Sequence, residues 1–196
     1  MVVFPLQALL CQTNDLKQTM HERVQKFLYG DPELEDVRAM QKTFANYRTE
    51  EIANALIADI DVDRGSISLN DRRDVTVNIL YKALNLPPIF VCKQLETEKS
   101  PQRKVQLMTV LRGINTPEVT QAFLNQLQDR RPAAEFNGLP EEPVYPLRVC
   151  DVACNVLNHN LDPNPYARRI IYSCPYDRRD KIIAQTLHDL NLNSAK

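Results

Sequence analysis

An acidic loop is the first group of residues whose types and spacing could do chemistry. Asp59, Asp61 and Asp63 occupy alternate positions shortly before Gly65, and alternate carboxylates in a loop between helices can converge on Ca²⁺. The EF-hand pattern has glycine at position six and an acid at position twelve. Counted from Asp59, glycine falls at position seven and Asn70 stands at position twelve, so the chelating glutamate is missing. We therefore favour a solvated turn over a calcium site.

Two cysteines and a histidine form the second group, and their chemistry would be zinc binding. Cys150 and Cys154 share one face of a predicted helix, and thiolates with an imidazole are common zinc ligands. His159 lies nine residues from Cys150, more than two helical turns, so it reaches the same site poorly. The residues around both cysteines are mostly apolar, and a buried cysteine behaves as a small hydrophobic residue. We predict core packing here, and no metal and no cofactor for the chain.

Four arginine doublets form the third group: Arg72-Arg73, Arg130-Arg131, Arg168-Arg169 and Arg178-Arg179. Two of them stand in the sequence DRRD, where the flanking aspartates offset their charge. If the doublets were aligned on one edge of the protein, they could bind phosphates or an acidic partner. The residues that we predict to contact a partner are Arg130, Arg131, Arg168, Arg169, Arg178 and Arg179.

Conventional catalytic patterns find little support in the sequence. The three histidines, His21, His159 and His188, stand in separate predicted helices, and no GxSxG or HExxH motif occurs. The four glycines form no phosphate-binding loop of the GxGxxG or GxxxxGK[ST] type. The sequence therefore assigns no catalytic residue. An enzyme stays an open alternative, but a non-catalytic protein is favoured.

Composition is ordinary for a soluble globular protein. The 196 residues are enough for one domain with a core, and 43% of them are hydrophobic and 25% charged. A formal net charge of −1 gives no global attraction to nucleic acid or to an anionic membrane.

The cysteines and the N-terminal sequence indicate where in the cell the protein is located. The five cysteines are odd in number and form no CxxC motif, so free thiols in a reducing, cytoplasmic location are the prediction. The apolar stretch MVVFPLQALLCQ lacks a basic region and is too short to span a bilayer. We expect a packed N-terminal segment and no membrane association.

Helix signals are clearest between residues 100 and 129. Ser100 and Thr116 can each cap a helix whose first residue is a proline, Pro101 or Pro117. Gly113 suits the left-handed position after a helix end. Apolar residues recur at helical spacing in both segments, at Val105, Met108 and Leu111 and then at Val119, Phe123 and Leu127. The stretch predicts two antiparallel helices joined by a tight turn.

The same signals recur along the chain and predict a repeated architecture. We expect a helix near 15–29 and then four helix pairs, at about 32–60, 71–98, 101–129 and 146–190. No strand-like alternation lasts beyond about four residues, and the proline-rich segment 130–146 has the composition of an inserted loop. Helix pairs repeated in this way are typical of an α-solenoid.

Two stretches also carry a resemblance to a known family. In PQRKVQLMTVLRGINTPEVTQAFLNQLQD (101–129) a first helix ends at glycine and a second begins with Thr-Pro-Glu, and PLRVCDVACNVL follows from Pro146. This arrangement resembles bacterial HEAT or PBS-lyase-type HEAT-like repeats. The matching residues are Leu111, Arg112, Gly113, Thr116, Pro117, Glu118, Val119 and Leu127, and then Arg148, Val149, Ala153 and Leu157.

The resemblance implies an all-α, HEAT-like solenoid of about four antiparallel helix pairs with an N-terminal capping helix. The chain would be one domain, 1–196, with a cap at 1–30, repeats at 31–129, a loop insertion at 130–145 and a C-terminal repeat at 146–196. Its function would be that of a non-catalytic scaffold that binds a protein or peptide on a concave surface.

Two other functions follow from the same resemblance. One is a HEAT-like nucleic-acid-binding or DNA-repair protein that uses the arginine doublets. The other is a modifying enzyme of the phycobilin-lyase type. The sequence specifies neither the partner nor the oligomeric state.

Overall fold

The computed structural model of the protein describes residues 47–58, 76–134, 144–161 and 169–194. The chain divides into two compact units, one of Met1–Asp59 with Asp74–Leu86 and one of Ile60–Arg73 with Pro87–Lys196. The described residues are mostly helical, which confirms the prediction of an all-α protein. The prediction of a single repeat domain stays a prediction. The N-terminal cap, the loop Asp59–Asp63 and three arginines lie outside the described residues: Arg72, Arg73 and Arg168.

The first unit contains helix α1, Thr49–Ala58. Two glutamates occupy its first turn, where the positive end of the helix dipole favours acidic side chains. The Arg48 guanidinium pairs with Glu51 at 2.6 Å on the exposed side. The opposite side buries Ile52, Ala53, Leu56 and Ile57, so α1 is amphipathic as its apolar spacing predicts.

A π-helical segment, Ile79–Ala83, follows a helical turn at 76–78 in the same unit. Its wider turn is closed by the Leu84 N–H, which donates to the Ile79 carbonyl at 2.9 Å. Asn85 then adopts a left-handed conformation with φ of 50°, which asparagine tolerates better than most residues. The Leu86 N–H donates back to the Leu80 carbonyl at 2.9 Å and ends the segment.

The described part of the second unit starts with three helices: α2 (Pro88–Thr97), α3 (Pro101–Leu111) and α4 (Pro117–Gln126). The predicted caps are present, because the Ser100 hydroxyl accepts from the Arg103 N–H at 3.3 Å and the Thr116 hydroxyl accepts from the Val119 N–H at 3.4 Å. Gly113 has a φ of 83°, as the predicted left-handed position requires. The predicted hairpin of α3 and α4 is confirmed in these details.

One apolar prediction in α2 is wrong. The spacing of Ile89, Cys92 and Leu95 in the sequence predicts that they share one buried helix face, but Ile89 is 40% exposed. Val91 is buried in its place. The buried face of α2 therefore runs along Val91, Cys92 and Leu95.

A short antiparallel pair interrupts the helices, which the sequence did not predict. Strand β1 (Pro132–Ala134) pairs with β2 (Leu147–Arg148), with Pro132 opposite Arg148 and an irregular register. Pro132 opens its strand, a position where a missing N–H is tolerated. Strand β1 lies within the predicted loop insertion, and β2 follows it. Residues 147–148 therefore form a strand, although the sequence predicted a helix that begins at Pro146.

Helices α5 (Val149–Leu161) and α6 (Tyr176–Ser194) complete the second unit. The N–H groups of Val149 and Cys150 donate to the carbonyls of Arg131 and Asp129 at 3.0 and 2.9 Å. Main-chain carbonyls thus satisfy two of the orphan N–H groups at the start of α5, and this explains why the helix begins three residues after Pro146.

Helix α5 is central to the second unit. It contacts α3, α4, α6 and β2, while α2 contacts both α3 and α4. The five successive residues 150–154 are all buried, which is typical of a helix that is covered on every side. In the part of the chain that the structure describes, no helix is both long and apolar enough to cross a membrane.

Two buried leucines offer a test of the α3–α4 packing. Leu111→Ala and Leu127→Ala should each lower the free energy of unfolding by about 2–5 kcal/mol, because each leaves a cavity where the parent side chain is at most 1% exposed. Urea denaturation followed by circular dichroism measures the loss. The exposed control Gln102→Ala on α3 should change stability by less than about 0.5 kcal/mol. A leucine variant no less stable than this control would contradict the packing.

Candidate functional site

A fully buried arginine organises the most polar region of the second unit. Arg179, in the first turn of α6, is 0% exposed. Its Nη1 atom donates to Asp151 Oδ2 and to the Pro146 carbonyl, both at 2.8 Å, and its Nε atom donates to the Cys174 carbonyl at 2.6 Å. Its Nη2 atom donates to three more carbonyls, those of Tyr145, Ile171 and Tyr172, at 2.7, 3.1 and 3.1 Å. A buried guanidinium is tolerated when its donors are satisfied in this way.

The buried carboxylate that pairs with Arg179 also starts helix α5. Asp151 is 0% exposed and accepts from the Arg148 N–H at 3.0 Å and from Arg148 Nη2 at 2.8 Å. A side chain in the first turn that accepts from the residue before the helix acts as half of a capping box. The positive end of the helix dipole favours the same carboxylate. Asp151 therefore fixes both the start of α5 and the position of Arg148.

Asp180 extends the group to the protein surface. It accepts from Arg148 Nη2 at 2.7 Å and forms an ion pair with Arg130 Nη1. Partial burial raises the pKa of Asp180, but the hydrogen bonds and charges of Arg148 and Arg130 outweigh burial and leave its pKa below the ordinary value. We call Arg130, Arg148, Asp151, Arg179 and Asp180 the arginine–aspartate cluster.

Burial and ion pairing act in opposite directions on Arg148. Burial lowers the pKa of Arg148, while its hydrogen bonds to Asp151 and Asp180 raise that pKa by more. The guanidinium therefore stays charged, and its two aspartates hold it in one orientation.

Two tyrosines pack against the cluster. The Tyr176 ring lies 4.8 Å from the Arg148 Cζ atom and 5.0 Å from the Arg179 Cζ atom. The Tyr145 ring meets Tyr176 edge-on at 5.4 Å, and the Tyr176 hydroxyl donates to the Pro146 carbonyl at 3.3 Å. Cation–π contacts of this kind favour charged guanidinium groups, so the tyrosines form a wall of the cluster.

A second ion group ties α3 to the end of α4. Lys104 is only 8% exposed, and its Nζ atom donates to Gln126 Oε1 at 2.7 Å and to Asp129 Oδ2 at 2.9 Å. Arg131 contacts the same carboxylate at 2.6 Å and donates to the Lys99 carbonyl at 2.6 Å. The hydrogen bond from Arg131 is the main reason that the pKa of Asp129 falls well below its usual range, and Lys104 lowers it further.

The predicted partner-binding arginines have different environments. Arg130 pairs with Asp180 and Arg131 pairs with Asp129, although both side chains stay about half exposed, at 46% and 49%. Arg169 and Arg178 are exposed. Arg179 is buried and faces inward, so it presents no guanidinium to a partner. Arg168 lies outside the described residues. Partner contact by the exposed arginines stays a prediction.

The cysteines lie where core packing places them. Cys150 and Cys154 are both 0% exposed, as their apolar neighbours predict. Burial raises the pKa of the Cys150 thiol to about 11, and the Cys154 sulfur lies 3.5 Å from the Thr186 hydroxyl. His159 Nδ1 lies 3.4 Å from Arg112 Nη2. Within the described ranges, no group of three or more His, Cys, Asp and Glu residues could hold a metal ion.

The sequence predictions missed five members of this site: Tyr145, Arg148, Asp151, Tyr176 and Asp180. One local signal pointed to two of them, because Arg148-Val-Cys-Asp151 has the spacing of a residue before a helix and an acid in its first turn. The motif DRRD predicted exposed arginines with offset charge. In the structure Arg178 faces outward, Arg179 faces inward, and Asp180 pairs with arginines from elsewhere in the chain.

Comparison with known proteins identifies no relative. No family model, no curated protein and no solved structure matches the chain. The HEAT-like resemblance therefore depends on the residues of 101–129 and 146–158.

The doublet Arg178-Arg179 allows a matched test of the buried cluster. Arg179→Met should lower the free energy of unfolding by about 3–5 kcal/mol, because it leaves the Asp151 carboxylate partly unpaired in the interior. Arg178→Met removes the same charge from an exposed neighbour and should change stability by less than about 0.5 kcal/mol. Chemical denaturation of both variants measures the difference. Equal losses of unfolding free energy in the two variants would contradict a stabilising role for the buried pair of Arg179 and Asp151.

Acid should weaken the second ion group through Asp129. Its pKa is lowered by folding, so its contribution is complete above the ordinary aspartate value of about 3.9 and is lost as the pH falls through that value towards the folded one. Asp129→Asn should therefore make stability less dependent on pH between about pH 5 and pH 2. Arg131→Met should act in the same direction, because it removes the largest cause of the shift. Denaturation curves measured across this range would contradict the assignment if both variants kept the parent slope.

Proposed function

We propose that the chain is a HEAT-like helical-repeat scaffold that binds another protein or a peptide and catalyses no reaction. The observation that carries this proposal is the contact pattern of the second unit, in which α2 contacts α4 and α3 contacts α5. When hairpins stack, second helices lie against second helices and first helices against first helices. In this assignment α3 and α5 are first helices, and α2 and α4 are second helices.

The connections between these helices support the same arrangement. The structure leaves only residues 98–100 between α2 and α3, and the left-handed Gly113 turns the chain between α3 and α4. Short connections of this length are typical of antiparallel neighbours. The short connections and the contacts between helices therefore both support the proposal of successive hairpins.

Helix α5 departs from the simplest repeat, because a first helix normally keeps one face in solvent. Here the segment 169–175 lies over it, as two hydrogen bonds between Asn155 and the main chain of Ile170 indicate, at 2.8 and 3.0 Å. Arg179 holds the same segment through the carbonyls of Ile171, Tyr172 and Cys174. We interpret this cover as the kind of cap that seals the apolar face of a repeat array.

The charge arrangement favours the scaffold over the nucleic-acid alternative. Binding to nucleic acid requires cations that are free to neutralise phosphates. Four of the arginines in this unit already have carboxylate partners: Arg130 with Asp180, Arg131 with Asp129, and Arg148 and Arg179 with Asp151. These four arginines form ion pairs within the protein. Their presence in the sequence therefore does not require a surface that binds phosphates.

The partner surface would be the exposed side of the second helices. On α4 this side carries Gln121 and Asn125, whose side chains are exposed and hydrogen-bond to each other at 2.9 Å. On α2 it carries Lys93 and Glu96. Amide and charged groups of this kind suit a polar peptide or protein surface, in which hydrogen bonds and charge supply specificity.

Two identical substitutions on neighbouring helices test the proposal. Gln121→Arg places a bulky cation on the exposed side of α4, and Gln102→Arg places the same group on the exposed side of the first helix α3. Partners captured from native cell extract by the parent protein, and quantified by mass spectrometry, should be lost with Gln121→Arg and retained with Gln102→Arg.

Two results would count against the scaffold. If both variants retained the same proteins to the same extent, the second helices would not form the binding surface. If capture disappeared after nuclease treatment, the nucleic-acid alternative would replace the proposal.

A further inference from the structure

We draw no further inference here: the strongest candidate, the exposed apolar side chains of Ile171 and Tyr176 beside the start of α6, carries nothing, because nothing in the structure shows what covers them.

Discussion

A buried guanidinium is the constraint on which the second unit depends. Removing a charged group from water without replacing its hydrogen bonds costs several kcal/mol, so Arg179 requires acceptors on every side. Those acceptors come from helix α5, from the segment before β2 and from the loop before α6. The requirement therefore fixes three parts of the chain relative to one another. Hydrophobic packing alone would not specify their positions so closely, because it is not directional.

Two groups of ion pairs fix the positions of different helices in the second unit. The arginine–aspartate cluster joins α5 to α6 through Asp151 and Asp180, and the group around Lys104 joins α3 to the residues that follow α4. Residues 129–131 belong to both, because Arg130 pairs with Asp180 while its neighbours Asp129 and Arg131 pair with each other. The connection after α4 is thus held from two directions, and its exposed side chains have defined orientations.

Local features of the structure could be predicted from the sequence, and features that depend on distant residues could not. The caps at Ser100 and Thr116 and the turn at Gly113 depend on atoms within about four residues of each position, so their residue types are sufficient signals. The partners of Arg179 lie up to 34 residues away, and a doublet in DRRD is indistinguishable by composition from a solvated surface pair. The start of α5 was misplaced for a similar reason, since its N–H groups use carbonyls at Asp129 and Arg131. Ile89 was misplaced because helical spacing gives a face but not the neighbour that covers it.

The main-chain contacts at the beginning of α5 also have a consequence for how the unit folds. The amide of Cys150 donates at 2.9 Å to the carbonyl of Asp129, which lies 21 positions earlier in the chain. The central helix therefore takes some of its first hydrogen bonds from residues across a long connection, and the entropic cost of closing such a connection grows only slowly with its length. The first turn of α5 is complete only when the residues that follow α4 have reached their native positions.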